Sequence, residues 1–393
     1  MTAFRLNQSM PTYPYYYNMW WYCKNNGVNT IQSTKEVNHY SQYININGDN
    51  NKKHSHLSAK NFNLTQYEIE QFRTYLSKLP GNLPDCFCNP KMSKEILKNL
   101  MRYPIECKTI LINLLGTVSL TALMTNTYGN YFIQDFLLHI NENQTFLILN
   151  YISINYAEIA MDYSGTHVLQ ALLDKSRNKI NHEQIVLSAI KGKELEMAFD
   201  TNATHVIQKI ITTIPEERRE DLTELIVSNL TSLCVNSNGI CIMKKVIKES
   251  KKIDIKNSII TKVTENCIEL SQDPYGNYVI QTLFEECDKD SLSPLVNKII
   301  KNICNLSVQK YSSNVSEKIL SYSNEQQREY IINRLFEEKI FIQVLNSRYG
   351  RFVLQKAIKT MNQPKKETIK ASLLQMHVPQ KESNFLKLLI TCF

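Results

Sequence analysis

A sevenfold internal repeat is the feature of this sequence that most restricts its fold. A small residue, Gly in five copies and Ala or Ser in two, precedes a five-residue motif. Position three of the motif is always apolar, and position five is usually Gln. The copies start at residues 130, 166, 204, 240, 277, 313 and 351, which are 36 to 38 residues apart. A spacing of this size indicates stacked repeats that bury a common core.

Apolar residues within a copy follow the period of helices. In the copy that starts at Asn277 they form two groups, Val279, Ile280, Leu283 and Phe284, then Leu295, Val296, Ile299, Ile300 and Ile303. Two helices per repeat are therefore predicted. One such unit cannot bury its apolar faces alone, so the repeats predict an all-α fold, an α-solenoid.

The five motif positions divide between two faces of a helix. Positions one and five are i and i+4 neighbours, and position two flanks them. Positions three and four point the other way. We expect the helix to pack through positions three and four and to present positions one, two and five outward. Stacking would align these outward faces as a ladder with one set per repeat.

The outward set has the chemistry of a nucleobase-binding surface. A Gln side chain donates and accepts hydrogen bonds in one plane, which suits the edge of a base. An aromatic side chain at position two offers a face on which a base can stack. The alternative is a polar helix surface whose aromatic side chains pack between repeats, but such a surface does not require Gln at the same offset in five of seven copies.

Positions one and five supply the predicted base-edge residues, and position two supplies the predicted stacking residues. The base-edge residues are Asn130, Gln134, Thr166, Gln170, Thr204, Gln208, Ile240, Lys244, Asn277, Gln281, Ser313, Glu317, Arg351 and Gln355. The stacking residues are Tyr131, His167, His205, Cys241, Tyr278, Asn314 and Phe352. Lys209, Lys245, Lys318 and Lys356 follow position five and either contact the ligand or remain solvated.

The stretch Asp273–Gln281, followed by Ser313–Lys318, resembles the Pumilio/PUF family of RNA-binding proteins. The resemblance covers roughly residues 85 to 390. It implies a right-handed superhelical α-solenoid of about eight PUF repeats that forms a curved arc. In the family's register the seven motifs belong to repeats two to eight. The first repeat would begin near residue 93, where Ser93–Leu97 contains no Gln and the motif is degenerate.

Known members of the family read one base per repeat with two or three side chains. By resemblance, Asn with Gln reads uracil, Ser or Cys with Gln reads adenine, and Ser with Glu reads guanine. The RNA runs antiparallel to the repeats, so the last repeat takes the 5′ base. Ser313 with Glu317 then implies guanine, and a carboxylate can accept from both N1 and N2 of that base.

The other repeats are assigned in the same way. Asn130 and Asn277, each with its Gln, imply uracil. Thr166 and Thr204 are close to the adenine pattern. Ile240 with Lys244 matches no pattern, and Arg351 departs from the usual Asn. The implied RNA is close to UGUAnAUA, with the bases opposite Ile240 and Arg351 left open.

Catalytic and metal-binding signatures are missing from the sequence. It contains no phosphate-binding loop, zinc-protease motif, nucleophile elbow or deaminase signature, so we expect no enzyme, no cofactor and no metal.

The net charge of +8 is compatible with a nucleic-acid partner. Ten cysteines without a CxxC pair fit a reducing compartment. The sequence contains no run of 18 consecutive apolar residues, so it predicts no membrane-spanning helix.

Composition separates two regions. Residues 1–63 are rich in Asn and Tyr and predict a disordered tail. Residues 64–393 form the expected Pumilio homology domain, with a C-terminal cap at about 379–393.

The resemblance implies a cytoplasmic monomer that binds mRNA 3′ untranslated regions and recruits deadenylation or translational-repressor proteins on its convex face. The alternatives are a PUF-like ribosome-biogenesis protein of lower specificity and a scaffold that binds only protein.

Overall fold

Helices form all of the regular structure in the part of the chain that the computed structural model describes, residues 55–375 and 380–393. The chain divides into two compact units between Tyr151 and Ile152. The helices of the first unit are α1 (Ser55–Ser77), α2 (Leu83–Cys88), α3 (Pro90–Leu100), α4 (Ile105–Thr125), α5 (Gly129–Leu137) and α6 (Glu142–Ile152).

The second unit has two 3₁₀ turns, Ser153–Asn155 and Glu216–Arg218. Its α-helices are α7 (Tyr156–Met161), α8 (Gly165–Ser176), α9 (Ile180–Ile190), α10 (Glu194–Phe199), α11 (Ala203–Thr213), α12 (Glu220–Ser228), α13 (Leu230–Cys234), α14 (Gly239–Glu249), α15 (Ile253–Glu265), α16 (Cys267–Gln272), α17 (Gly276–Glu286), α18 (Ser293–Lys301), α19 (Ile303–Ser307), α20 (Ser312–Tyr322), α21 (Glu325–Leu335), α22 (Glu338–Asn346), α23 (Gly350–Thr360), α24 (Gln363–Gln375) and α25 (Gln380–Ile390).

Each repeat of the second unit contains three helices rather than the predicted two. A short first helix precedes the helix that carries the motif, which we call the ladder helix, and a third helix follows. The ladder helices of this unit are α8, α11, α14, α17, α20 and α23, and each packs against the next. The short helix was missed because it spans only five to nine residues, as in α13 and α22. Ile303, assigned to the second predicted helix, instead begins α19.

A close approach between the first helix and the ladder helix explains the glycine before the motif. A Cβ atom at Gly239 would lie 2.5 Å from the carbonyl oxygen of Leu233 and 2.8 Å from its Cα atom. At Gly276 the corresponding distance to the carbonyl oxygen of Leu270 would be 2.8 Å. In both repeats the obstructing residue lies six positions before the glycine. The motif therefore begins where two helices nearly touch.

A polar residue three positions before the small residue organises this junction. In the repeat of Gly165, Asp162 Oδ1 accepts hydrogen bonds of 2.8 Å from the backbone N–H groups of Ser164 and Gly165. The same double acceptance is made by Asn126, Asp200, Asn236, Asp273 and Ser347. These bonds satisfy N–H groups at the start of the ladder helix that have no partner within the helix.

In the first unit, α4 runs through the boundary between two repeats. It is the one helix among the described residues that is long and apolar enough to cross a membrane. However, Gly116 has a φ of 54°, which kinks the helix, and side chains such as Leu111 and Leu123 are buried on either side of the kink. The segment thus behaves as two packed helices. The degenerate motif expected near residue 93 falls on α3, where Ile96 and Leu100 are buried.

Helix α1 overlaps the end of the region assigned to the tail. It begins at Ser55, so residues 55–63 of the predicted tail are helical. The segment Ser55–Ser77 contains neither Gly nor Pro, which favours a continuous helix. The rest of the predicted tail, residues 1–54, lies outside the described residues. The predicted C-terminal cap contains α25.

Replacing the junction glycine should destabilise the fold. In Gly239→Ala the new methyl group would overlap backbone atoms of Leu233, which cannot move aside as a side chain could. We expect a loss of about 1–3 kcal/mol in the free energy of unfolding, typical of overpacking. Urea denaturation followed by circular dichroism measures this loss. Ala203→Gly, at the same motif position of another repeat, is the control and should cost about 1 kcal/mol or less. Equal effects of the two changes would contradict the close-approach argument.

Candidate nucleic-acid interface

Position two of the motif is exposed in every ladder helix, as predicted. Tyr131 in the first unit is 65% exposed, and in the second unit Tyr278 and Phe352 are 48% and 55% exposed. His167, His205, Cys241 and Asn314 are exposed as well. Large aromatic side chains this accessible carry unburied stacking faces. Positions three and four are buried in all seven copies and hold the ladder helices in the core.

Position one is buried, which corrects the expectation that it faces outward. Its side chain is 5% exposed or less in six of the seven copies, and Arg351 is the exception with intermediate exposure. The cause is its place next to the small residue, where the ladder helix approaches the first helix. Position five is half-buried in six copies, so its terminal group is the accessible part of each position-one and position-five pair.

Asn130 and Gln134 in the first unit form a network that is repeated by Asn277 and Gln281 in the second. Asn277 Nδ2 donates to the carbonyl oxygens of Asp273 and Pro274 at 2.9 and 3.0 Å. Its Oδ1 accepts from Gln281 Nε2 at 2.9 Å. The corresponding bonds of Asn130 measure 2.8, 2.9 and 3.0 Å. The carbonyl oxygen of each Gln amide remains available for a ligand, and so does one N–H of Gln134. Gln281 Nε2 makes a second, longer bond of 3.4 Å to the carbonyl oxygen of Asn277.

Thr166 and Thr204 hold their Gln partners differently. Thr166 Oγ1 donates to the carbonyl oxygen of Asn202 at 3.1 Å, in the following repeat. It also accepts from Gln170 Nε2 at 3.4 Å. Thr204 makes the equivalent bonds to Asn238 and Gln208, both at 3.4 Å. The hydroxyl proton is committed to the neighbouring repeat, and the Gln amide is held less tightly than beside Asn.

Glu317 presents a half-buried carboxylate with no hydrogen-bond donor among the described residues. Burial raises its pKa, and the nearby Lys356 opposes this shift. Its partner Ser313 donates to the carbonyl oxygen of Lys310 at 3.2 Å and forms no hydrogen bond with the Glu317 carboxylate. The carboxylate lines a cleft together with Gln281, Asn314, Lys318, Ser321, Tyr322 and Lys356. Such a group can accept two hydrogen bonds from a ligand that offers adjacent N–H donors.

The copy at Ile240 has no comparable pair. Ile240 is buried and offers no polar atom, so nothing holds position five against the helix. Lys244 is exposed, and its ammonium group lies 5.9 Å from the centre of the Tyr278 ring in the next repeat. This distance allows a cation–π contact.

Arg351 is engaged by the C-terminal helix. Its Nε donates to the carbonyl oxygen of Leu345 at 2.9 Å, and its guanidinium carbon lies 3.1 Å from the centre of the Phe385 ring in α25. Sequence reasoning missed Phe385 because no motif connects residues 34 positions apart. Gln355 is half-buried, and Phe352 remains exposed.

The four lysines after position five fall into two classes. Lys209 pairs with Asp174 of the preceding ladder helix at 2.6 Å, and Lys318 pairs with Glu285 at the same distance. Lys245 and Lys356 form no ion pair among the described residues. The acidic partners were not predicted. The sequence does contain a signal for them, because both lie four residues after position five of the preceding copy. In the described ranges, no three His, Cys, Asp or Glu side chains could together hold a metal ion.

The fold and this surface define a class of helical-repeat proteins that carry one ligand-facing set of side chains per repeat. A family model described as a NOP9-like PUF repeat domain matches residues 88–352. The chain therefore belongs to the PUF repeat proteins, and the predicted Pumilio/PUF resemblance and all-α solenoid are confirmed.

Curated relatives include two proteins of Arabidopsis thaliana. Pumilio homolog 12 is 29% identical over 61% of this chain and 40% of its own length. Putative pumilio homolog 8, chloroplastic, is 28% identical over 60% of this chain and 46% of its own length. The matched region thus spans less than half of each relative. Among solved structures, the Puf4 RNA binding domain bound to an HO endonuclease RNA 3′ UTR recognition sequence matches with a TM-score of 0.72. The identity is 24%, and the match covers 80% of this chain and 100% of that one.

The raised pKa of Glu317 predicts that its ionised carboxylate lowers the free energy of unfolding of the protein. A carboxyl group whose pKa is higher in the folded state destabilises that state above this pKa, and the cost disappears as pH falls toward the ordinary value. Glu317→Gln should therefore raise the free energy of unfolding at pH 7.5 by roughly 0.5–1 kcal/mol, because the group is only half-buried.

Urea denaturation of both proteins between pH 7.5 and 4.5 measures this difference, which should shrink as the pH falls. Gln281→Glu is the opposite change at the same position of the preceding copy and should lower stability at pH 7.5. A Glu317→Gln protein that is less stable than the wild type at pH 7.5 would show that the carboxylate has a stabilising partner.

Proposed function

We propose that this protein binds single-stranded RNA in a sequence-specific manner and recognises elements that contain UGU. The observation that carries the proposal is the adjacency of two different base-edge pairs on neighbouring ladder helices. Asn277 with Gln281 leaves a free acceptor on the Gln amide and a donor engaged only by a long bond of 3.4 Å, whereas Glu317 in the next repeat is an acceptor with no donor partner. A scaffold that binds only protein has no need for this alternation.

The two groups match the edges of two different bases. Uracil offers an N–H donor beside carbonyl acceptors, which complements the free N–H and carbonyl oxygen of an amide. Guanine offers two adjacent N–H donors, which a carboxylate accepts and an amide cannot. Tyr278 and Asn314 at position two would flank these bases, and a good aromatic stack contributes about 1–3 kcal/mol per base. Each good edge contact discriminates by a similar amount, about 1–3 kcal/mol.

Membership of the PUF repeat family and the likeness to an RNA-bound solenoid support RNA as the ligand. The wider role follows from the same family. We propose that the protein acts on the 3′ untranslated regions of mRNA in the cytoplasm. It would act there as a monomer that recruits deadenylation or translational-repressor proteins on its convex face, and it would carry out no catalysis itself.

A second candidate function is RNA binding of lower specificity in ribosome biogenesis. Two observations favour it. The copy at Ile240 has no base-edge pair, and the ladder residue Arg351 is engaged by α25 rather than open to a ligand. The description of the matching family model as NOP9-like rather than as a general Pumilio domain is in line with this alternative.

Base-specific binding can be tested with the RNA UGUAAAUA. We expect the full chain to bind this RNA at least tenfold more tightly than ACAAAAUA, a difference of about 1.4 kcal/mol, because the G and the second U of UGU face the pairs at Ser313 and Asn277. Fluorescence anisotropy at fixed salt measures both affinities, since salt alone changes such values. Equal affinity for the two RNAs would favour the second candidate. Binding of neither RNA would point to a protein-binding scaffold.

A change of both edge residues should redirect the specificity. The double variant Ser313→Asn/Glu317→Gln copies the pair found at Asn277 and Gln281. We expect its preference at the second base of the RNA to move from G to U by tenfold or more, about 1.4 kcal/mol. The RNAs UGUAAAUA and UUUAAAUA are compared by anisotropy. The single change Gln355→Glu serves as the control, because it lies in another repeat and should leave the preference at the second base unchanged. An unaltered preference in the double variant would reject the assigned register.

A further inference from the structure

The ladder helix α14 (Gly239–Glu249) carries an unpaired basic surface that the base-edge pattern does not explain. Lys244, Lys245 and Lys248 occupy positions five, six and nine counted from Ile240. None of the three forms an ion pair among the described residues, and Lys244 and Lys248 are exposed. Because Lys244 and Lys248 are i and i+4 neighbours of like charge, they repel each other in the free protein.

The neighbouring repeats show what is unusual here. In two places an acidic residue at position nine of one ladder helix pairs with a lysine at position six of the next, Asp174 with Lys209 and Glu285 with Lys318. At α14 this pattern is interrupted on both sides. Thr212 precedes Lys245, and Thr282 follows Lys248, so neither lysine meets a carboxylate. Although α14 also contains Glu249, no carboxylate of the described residues forms an ion pair with Lys245 or Lys248.

The residue at position one of this copy argues against a role for Lys244 in recognising the edge of a base. In the Asn277 repeat, the Asn side chain anchors the amide at position five at 2.9 Å. Ile240 is 5% exposed and apolar, so Lys244 has no such anchor. Its ammonium group instead extends toward the next repeat, 5.9 Å from the centre of the Tyr278 ring. There it lies beside the ring face on which a base would stack.

We propose that α14 binds the phosphate backbone of the RNA through Lys244 and Lys248 and reads no base. This inference rests on the proposed RNA-binding function. An ammonium group on a flexible chain is a point charge that suits a phosphate, and it lacks the acceptor needed to recognise a base edge in both directions. The nucleotide opposite α14, the fourth of UGUAAAUA in the assigned register, is accordingly an unspecified spacer. Its phosphates are bound and its base is not.

The first test varies the fourth nucleotide. Anisotropy with the full chain and the RNAs UGUNAAUA should give affinities within about twofold for all four bases. An abasic nucleotide at position four should weaken binding less than threefold, whereas an abasic nucleotide at position three should weaken it tenfold or more. A tenfold preference for one base at position four that disappears in Lys244→Gln would overturn the proposal, because Lys244 would then read a base.

The second test measures the phosphate contact directly. For single-stranded RNA, each phosphate contact contributes about 0.7 to the slope of log affinity against log salt. The double variant Lys244→Gln/Lys248→Gln should reduce this slope by at least about 0.7 between 50 and 200 mM salt. The matched control Lys252→Gln/Lys365→Gln removes the same charge from lysines that pair with Glu220 and Glu329 of third helices. The control should leave the slope nearly unchanged.

A third measurement separates a phosphate contact from a general effect of charge. Replacing the phosphates on either side of the fourth nucleotide by uncharged methylphosphonates should weaken the wild type threefold or more and leave the double variant unaffected. Unequal losses of this kind support the proposal, whereas equal losses in both proteins overturn it. Equal slope changes in the variant and its control also overturn it. If no RNA that contains UGU binds the wild type, the proposed RNA-binding function itself has failed. That outcome is distinct from a failure of the phosphate contact, which requires an RNA that binds.

Discussion

The near contact between the start of the ladder helix and the end of the helix before it, in the copies that have a glycine there, is the constraint on which this structure depends. At Gly239 there is no room for a Cβ atom against Leu233, and an Asn, Asp or Ser three residues before the glycine ties the two helices together through backbone N–H groups. The direction of the ladder helix is thereby set at its first residue. Everything that follows along it, from the buried apolar pair to the exposed ring at position two, takes its orientation from this junction.

The same junction explains why the motif divides as it does. A residue directly after the near contact has little space, so position one is buried and its polar atoms find partners in the preceding turn. Position five lies one helical turn further on, where the surface opens. The pair thus works as a buried anchor and a half-exposed contact group. Two copies depart from this arrangement. Ile240 has no polar atom that could anchor position five, and Arg351 is turned toward Phe385.

Much of this could be predicted from the sequence, because a repeated pattern averages out local ambiguity. The ladder helices, the exposure of position two, the burial of positions three and four, and the family followed from one recurring motif. Other features were not predictable for physical reasons. The short first helices are too brief to show a period, and the burial of position one depends on a helix that the pattern did not reveal. The contact of Arg351 with Phe385 joins segments that no periodicity relates, and the pairing of Lys209 with Asp174 depends on how successive ladder helices align.

The two ways of anchoring the amide at position five have different implications for how such a surface changes during evolution. The bonds of Asn130 and Asn277 stay within their own helix and the turn before it, so these copies are self-contained modules. A substitution there can alter one ladder position without disturbing the neighbouring copies. Thr166 and Thr204 give their hydroxyl protons to the backbone of the following copy. A substitution at either threonine would disturb the backbone of the next copy as well as its own, so the two threonine copies are expected to change more slowly during evolution than the two asparagine copies.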